Sequence, residues 1–231
     1  MKETEILDKL KEKTIFSVQD ISRIRNFSRE YSKLVLNRLT KRGLITRITK
    51  NAYTLQKDIY VIASSIKTLS YISFWSASSF YRYTEQILNT VYIASTIKMK
   101  PIKFEGYKIK FISLKNFFGY KKIKTDKGDI FIAENEKLLI DALTNHKEMG
   151  NFDEIEKVFQ EGEINIEKLV SYLKQINNLA LIKRVGFLIE RYKKIDLSKY
   201  FKLDRNYVFL NKFSKKYKSL NSKWMVKLND N

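Results

Sequence analysis

The chain has 231 residues, with 45 Lys and Arg against 25 Asp and Glu, so its formal net charge is +20. Cys is absent and His146 is the one histidine. That excludes disulfides, thiolate metal sites, Cys nucleophiles and multi-histidine metal clusters within one chain, and leaves almost no room for Ser-His-Asp chemistry. A hydrophobic share of 44% is enough to bury a core, and the length suits one large domain or two modest ones. No run approaches the roughly 18 apolar residues of a membrane span. The opening MKETEILDKL is charged and amphipathic rather than secretory. A soluble, cytoplasmic protein with no membrane partner is expected.

So strong a positive charge favours an anionic partner, nucleic acid foremost. The densest stretch is Arg23 to Lys50. It holds nine basic side chains (Arg23, Arg25, Arg29, Lys33, Arg38, Lys41, Arg42, Arg47, Lys50) and one acid, Glu30.

In chain order, Ile6, Leu7 and Leu10 recur at helical spacing in residues 3–12. Ser17 then caps a helix from Val18 to about Arg25, with Ile21 and Ile24 inward and Asp20 at N3. Asn26 and Phe27 read as a turn. Ser28 caps the next helix, which carries Val35, Leu36 and Leu39 inward, Glu30 near its positive end, and Gly43 as its stop. Leu44 to Thr49 reads as a β-branched strand, Lys50-Asn51 as a turn, and Ala52 to Leu55 as the returning strand. Three helices followed by a hairpin make a winged helix-turn-helix, whose third helix enters the major groove while the hairpin reaches the neighbouring backbone. Between the inward residues of helix three lie groups able to face DNA. The expected DNA-binding set is Ser28, Arg29, Ser32, Lys33, Asn37, Arg38 and Arg42 on the helix, with Arg47, Lys50 and Asn51 on the wing.

Residues 56–70 read as a link and a short helix. Tyr71 to Tyr83 interleaves six aromatic residues with Ser and Ala. Arg82 is the one basic residue there, so helix-spaced core packing is expected rather than a base-stacking platform. Residues 90–132 are β in texture, with a hairpin over Lys103–Lys115 turning at Gly106 and a turn at Asp126–Asp129. A helix runs from Lys137 to Asn145, and two or three more fill 153–194. Tyr207–Leu210 is strand-like, and Lys223–Leu228 is too apolar for a free tail.

The chemistry-bearing residues are sparse. The seven Gly are scattered, so no loop cradles phosphate. Asp129, Glu134, Glu136 and Lys137 loosely suggest a metal-dependent nuclease. That pattern needs an acid two residues before the lysine on a strand, and Asn135 occupies the place. Acids at a helix start are an ordinary complement to its dipole. Asp141 falls in the same helix as a structural or surface acid, and His146 at its end. The chain is therefore expected to be no enzyme, with no cofactor and no metal.

With these segments in order, the chain resembles the AbiEi-type antitoxin family of transcriptional regulators. The resemblance is carried by Lys41-Arg42-Gly43-Leu44-Ile45-Thr46-Arg47-Ile48, Tyr53-Thr54-Leu55, Tyr60-Val61-Ile62-Ala63-Ser64 and Tyr71-Ile72-Ser73-Phe74-Trp75-Ser76-Ala77. It continues through Thr84-Glu85-Gln86-Ile87, Val91-Tyr92-Ile93-Ala94, Ile109-Lys110-Phe111-Ile112, Phe117-Phe118-Gly119-Tyr120 and Ile132-Ala133-Glu134-Asn135-Glu136-Lys137 to Ile140-Asp141, and covers roughly residues 5–195. The family's wing turn usually carries Gly where this chain has Lys50-Asn51; Asn tolerates positive φ, which would preserve the hairpin. Its Ala-Glu-Pro-Glu-Lys pattern has Asn135 in place of Pro.

The resemblance implies a DNA-binding repressor of its own operon, acting on inverted repeats of double-stranded DNA, with a homodimer on the operator. It also implies neutralisation of a nucleotidyltransferase-like toxin without a stable complex between the two. The expected fold class is α+β: a winged helix-turn-helix over 1–58 followed by a larger mixed α/β antitoxin-type domain over 59–231. The alternatives are a free-standing winged-helix transcription factor and an RNA-binding accessory protein using a basic hairpin at 98–124.

Overall fold

The computed structural model describes residues 3–214 and 216–229, with every side chain in them except those of Glu3 and Arg25. Helix and strand are mixed as expected of an α+β chain. The residues group into two compact units. One takes in the chain up to Ile72, Asn89–Ser113 and Lys122–Phe131; the other takes in Ser73–Leu88, Leu114–Lys121 and the chain from Ile132 onward.

The first unit opens with α1 (Glu3–Leu10), α2 (Val18–Arg25), α3 (Arg29–Lys41), β1 (Thr46–Thr49) and β2 (Ala52–Thr54). This is the expected element order of a winged helix-turn-helix. Its core gathers Phe16, Val18 and Ile45 with Ile6, Leu10, Ile21, Val35, Leu36 and Leu39, the residues that the helical spacing turned inward. The wing is closed at its base by Phe16, which exchanges both backbone hydrogen bonds with Tyr53 (3.0 and 2.9 Å). Thr54 Oγ1 also donates to Thr14 O (2.7 Å).

Helix α4 (Ile59–Ser65) follows, capped by Asp58, which accepts from the N–H groups of Tyr60 and Val61. Strands β3 (Ser70–Ile72), β4 (Thr90–Ser95), β5 (Ile102–Phe104), β6 (Tyr107–Ser113), β7 (Tyr120–Thr125) and β8 (Gly128–Ala133) form a six-stranded sheet in the order β5-β6-β4-β3-β8-β7. β3 and β4 are antiparallel, β4 and β6 parallel, β5 and β6 antiparallel. The β5–β6 turn uses Glu105 and Gly106, both at positive φ (44° and 82°), the two-residue geometry that matches strand twist. The sheet order corrects one expectation. Residues 98–124 are not a single basic hairpin: their lysines divide between the β5–β6 edge and the β7 edge.

The second unit is mainly helical: α5 (Phe74–Phe80), α6 (Asn135–Thr144), α7 (Phe152–Glu161), α8 (Ile166–Ile176) and α9 (Leu179–Lys193). A small sheet of β9 (Val208–Phe209), β10 (Ser219–Asn221) and β11 (Val226–Leu228) closes the chain. Asn151, Asn165 and Asn178 cap α7, α8 and α9, each accepting from the N–H three residues on. The aromatic stretch 71–83 is not one helix. Its first residues belong to β3, and the helix begins only at Phe74, whose φ of +55° makes the sharp exit from strand to helix. Tyr71 and Phe74 are fully buried, whereas Trp75 is half-buried and donates its indole N–H to Glu154 (3.0 Å).

Candidate nucleic-acid interface

The interface is built on a turn between two capped helices. Asp20 at N3 of α2 accepts from both the N–H and the hydroxyl of Ser17 (2.8 and 2.7 Å) and pairs with Lys13. Partial burial alone would raise the Asp20 carboxyl, but these hydrogen bonds and the Lys13 charge hold it below its ordinary value. Asn26 ends α2 in the left-handed conformation (φ 52°). Ser28 then opens α3 by accepting from Tyr31 N–H (3.2 Å). The far end of α3 is a Schellman turn: Gly43 (φ 68°) donates to Thr40 O, and Leu44 to Leu39 O. That last bond keeps Leu44 out of the wing, so β1 begins at Thr46.

Arg29, Lys33, Asn37, Arg38 and Lys41 are all exposed on α3, and Lys50 is exposed at the wing turn. Ser28 is exposed too, with its hydroxyl oxygen engaged as the cap. Ser32 departs from the expected set. It is fully buried, its hydroxyl bonded to Ser28 O and to the Ser22 hydroxyl (both 2.9 Å). A small side chain there lets α2 and α3 cross closely, so Ser32 holds the motif together and does not lie on its outer face.

Arg47 and Asn51 on the wing are exposed as expected, and each also makes hydrogen bonds within the domain. Arg47 donates from Nε to Thr49 O (3.0 Å) and from Nη2 to Lys50 O (3.1 Å), with its guanidinium 5.9 Å from the Tyr53 ring centroid. It shapes the wing turn. Asn51 accepts from Val18 N–H (3.4 Å), tying the wing to the start of α2. The positive-φ rationale for Asn51 does not hold, because among the described residues positive φ falls at neither Lys50 nor Asn51. The hairpin closes instead through a register shift between Arg47 and Thr49. Arg42 is exposed at the C-cap of α3.

The exposed face also carries residues that the charge pattern overlooked. Tyr31 and Leu34 are 44% and 42% exposed, on the same helix as Arg29 and Lys33. The helical period that turned Val35, Leu36 and Leu39 inward already placed them outward; their apolar character concealed it. Groups of this kind meet thymine methyls in a major groove.

The acids weighed for catalysis are held apart. Glu134 accepts from Tyr172 Oη (2.5 Å) and Lys168 Nζ (3.2 Å), and Glu136 from Asn165 N–H (2.7 Å). Asp141 pairs with Lys137 inside α6 and accepts from Ser73 Oγ (2.8 Å), all three buried. Asp129 pairs with Lys122 (2.5 Å). His146 packs edge-on against Phe213, and its buried Nδ1 has no hydrogen-bond partner among the described residues. Burial, followed by the charges of Lys212 and Lys147, lowers the His146 pKa from its ordinary value. Among the described residues no group of three or more His, Asp or Glu is placed to hold a metal ion, and no helix is long and apolar enough to cross a membrane.

No curated protein matches the chain. Residues 5–56, the three helices and the wing just described, match the family described as "Transcriptional regulator, AbiEi antitoxin". The matched span is shorter than the 5–195 over which the motifs suggested the likeness. Over residues 5–56 the chain is similar to that family of antitoxin regulators.

Proposed function

We propose that the chain is a non-catalytic DNA-binding repressor of its own operon and the antitoxin to a nucleotidyltransferase-like toxin. One observation carries the reading: the segment matching an antitoxin regulator family is the segment whose third helix presents Arg29, Lys33, Asn37, Arg38 and Lys41 to solvent. Arg29 and the N-terminus of α3 suit phosphates, Asn37 suits an adenine edge, and Lys50 on the wing suits the flanking backbone. Repression then follows from occupancy of repeats upstream of the chain's own gene, by two copies on one duplex. A neutralising role falls to the residues beyond the wing, far more of the chain than duplex binding needs.

The test is a titration of the purified protein on DNA from upstream of its gene. Arg29→Glu and Lys33→Glu are expected to weaken binding, each lowering the salt slope by about one. Unchanged binding by the double variant would refute the assignment. Co-expression with the adjacent toxin gene tests the second half: these variants lose repression yet still protect growth, while deletion of 61–231 abolishes protection. Protection that disappears with Glu134→Ala in a folded, DNA-binding protein would overturn the non-catalytic reading.

A further inference from the structure

A second concentration of positive charge lies beyond α9. Between Lys199 and Asn229 there are nine basic side chains and one acid, Asp204. That acid is already paired with the buried Lys183. Among the described residues no carboxylate pairs with Lys202, Arg205, Lys216, Lys218 or Lys227, while Lys223 is held by Glu190 and Asp196. Nine basic side chains and one acid is also the count over Arg23–Lys50, but the setting is different.

The three-stranded sheet has an inner and an outer face. Val226 is fully buried, and Trp224 is buried against Gly186 of α9, where an added Cβ would meet the indole at 2.1 Å. Register fixes the other face. Leu220 stands opposite Lys227, and Lys227 opposite Phe209, so the three form one row across β10, β11 and β9. Strand neighbours in register share a face. Tyr217 joins them: its ring is 6.2 Å from Phe209, and the Lys227 ammonium lies 5.0 Å from the Phe209 ring centroid and 5.1 Å from that of Tyr217. Tyr217 is 48% and Leu220 51% exposed, and Lys216 and Lys218 beside Tyr217 are exposed as well.

Aromatic faces with a cation among them, beside lysines that no carboxylate pairs among the described residues, are what unstacked bases and their phosphates require. A duplex offers no free base faces to such a platform. An acidic protein would be drawn by the lysines but would leave the exposed rings without a partner of matching shape. We propose that the outer face of the β9–β11 sheet binds single-stranded nucleic acid, with Tyr217 stacking a base and Lys216, Lys218 and Lys227 meeting the backbone. The surface belongs to the second unit and α3 to the first, and the proposal does not depend on the operator reading.

The test is fluorescence anisotropy of the full chain on labelled oligo-dT of about 15 nucleotides, beside a duplex control. Tyr217→Ala is expected to weaken single-strand binding about tenfold, the usual cost of one stacked base. Lys216→Glu with Lys218→Glu should weaken it similarly and flatten its salt dependence, with duplex binding and melting temperature unchanged. Because the charge variant touches no packed ring, it reads out even if Tyr217→Ala disturbs the fold. Wild-type single-strand affinity in both variants would overturn the proposal. So would poly-glutamate competing as well as oligo-dT, since the surface would then be an acidic-protein site. Loss of single-strand binding on Arg29→Glu with Lys33→Glu alone would place that activity on α3 instead.

Discussion

The two units treat charge in opposite ways. In the winged unit, Arg29, Lys33, Arg38, Lys41 and Lys50 stand in solvent. Its buried polar residues are small neutral ones such as Ser32, Thr54, Ser64, Ser70 and Ser95. In the helical unit, Glu136, Lys137, Asp141, Glu154, Lys183 and Arg184 are buried. Each of these has a partner: Lys137 with Asp141, Lys183 with Asp204, Arg184 with Phe209 O, Glu136 with Asn165 N–H, and Glu154 with Trp75. Exposed charges cost the fold little and remain available to a ligand. Buried ones are costly to desolvate and are tolerated only where geometry compensates them. The winged unit thus keeps its charge on the surface, and the helical unit, besides its basic C-terminal surface, has an interior whose packing is specified by fixed polar pairs.

The sharpest break in this comparison is Asp141→Ala. It removes the carboxylate that pairs with the buried Lys137 ammonium, and should cost about 3–5 kcal/mol in chemical denaturation. Asp141→Leu combined with Lys137→Met should recover much of that loss, since removing both charges removes the penalty. A single variant as stable as wild type would mean that the pair is not enclosed.

A smaller effect is expected at Gly186. Its Cβ position is filled by the Trp224 ring, so Gly186→Ala should cost about 1–3 kcal/mol as an overpacking change, with a matching fall in melting temperature. Full stability in that variant would show that the C-terminal sheet is not seated on α9.

In the winged unit the comparable polar element is only a cap. Asp20→Asn should cost about 1 kcal/mol. Because the folded carboxyl lies below its unfolded value, this contribution is complete above the unfolded pKa and is lost as pH falls through the folded one. Wild type should therefore lose this increment on acidification while Asp20→Asn does not, as denaturation at pH 7 and pH 3 would show. The smallest effect is at Lys33: Lys33→Ala should change stability by no more than about 0.5 kcal/mol while weakening duplex binding. A large loss of stability there would break the division between exposed and enclosed charge.

Legibility in the sequence follows the same division. Helix α3, its Ser28 cap and its Gly43 stop are local features, and the structure has them where the spacing put them. Ser32 was misread because serine at a close helix crossing looks in sequence like serine facing solvent. Lys137 and Asp141 are four residues apart on one helix, the spacing of an ordinary surface pair. Only the chain packed around α6 makes them an interior one. The C-terminal platform was hidden for a related reason: Phe209, Tyr217, Leu220 and Lys227 are scattered in sequence and meet only through strand register.

By itself the sequence determined the helices of the first domain, its hairpin, the basic character of α3 and the likeness of residues 5–56 to an antitoxin regulator family, because periodicity, caps and turn residues act over a few positions. The tertiary structure alone decided the order of the six-stranded sheet and which polar groups, Ser32 among them, are enclosed. Those outcomes depend on contacts between segments distant in the chain, where the free energy of burial is shared among partners that no local pattern can identify.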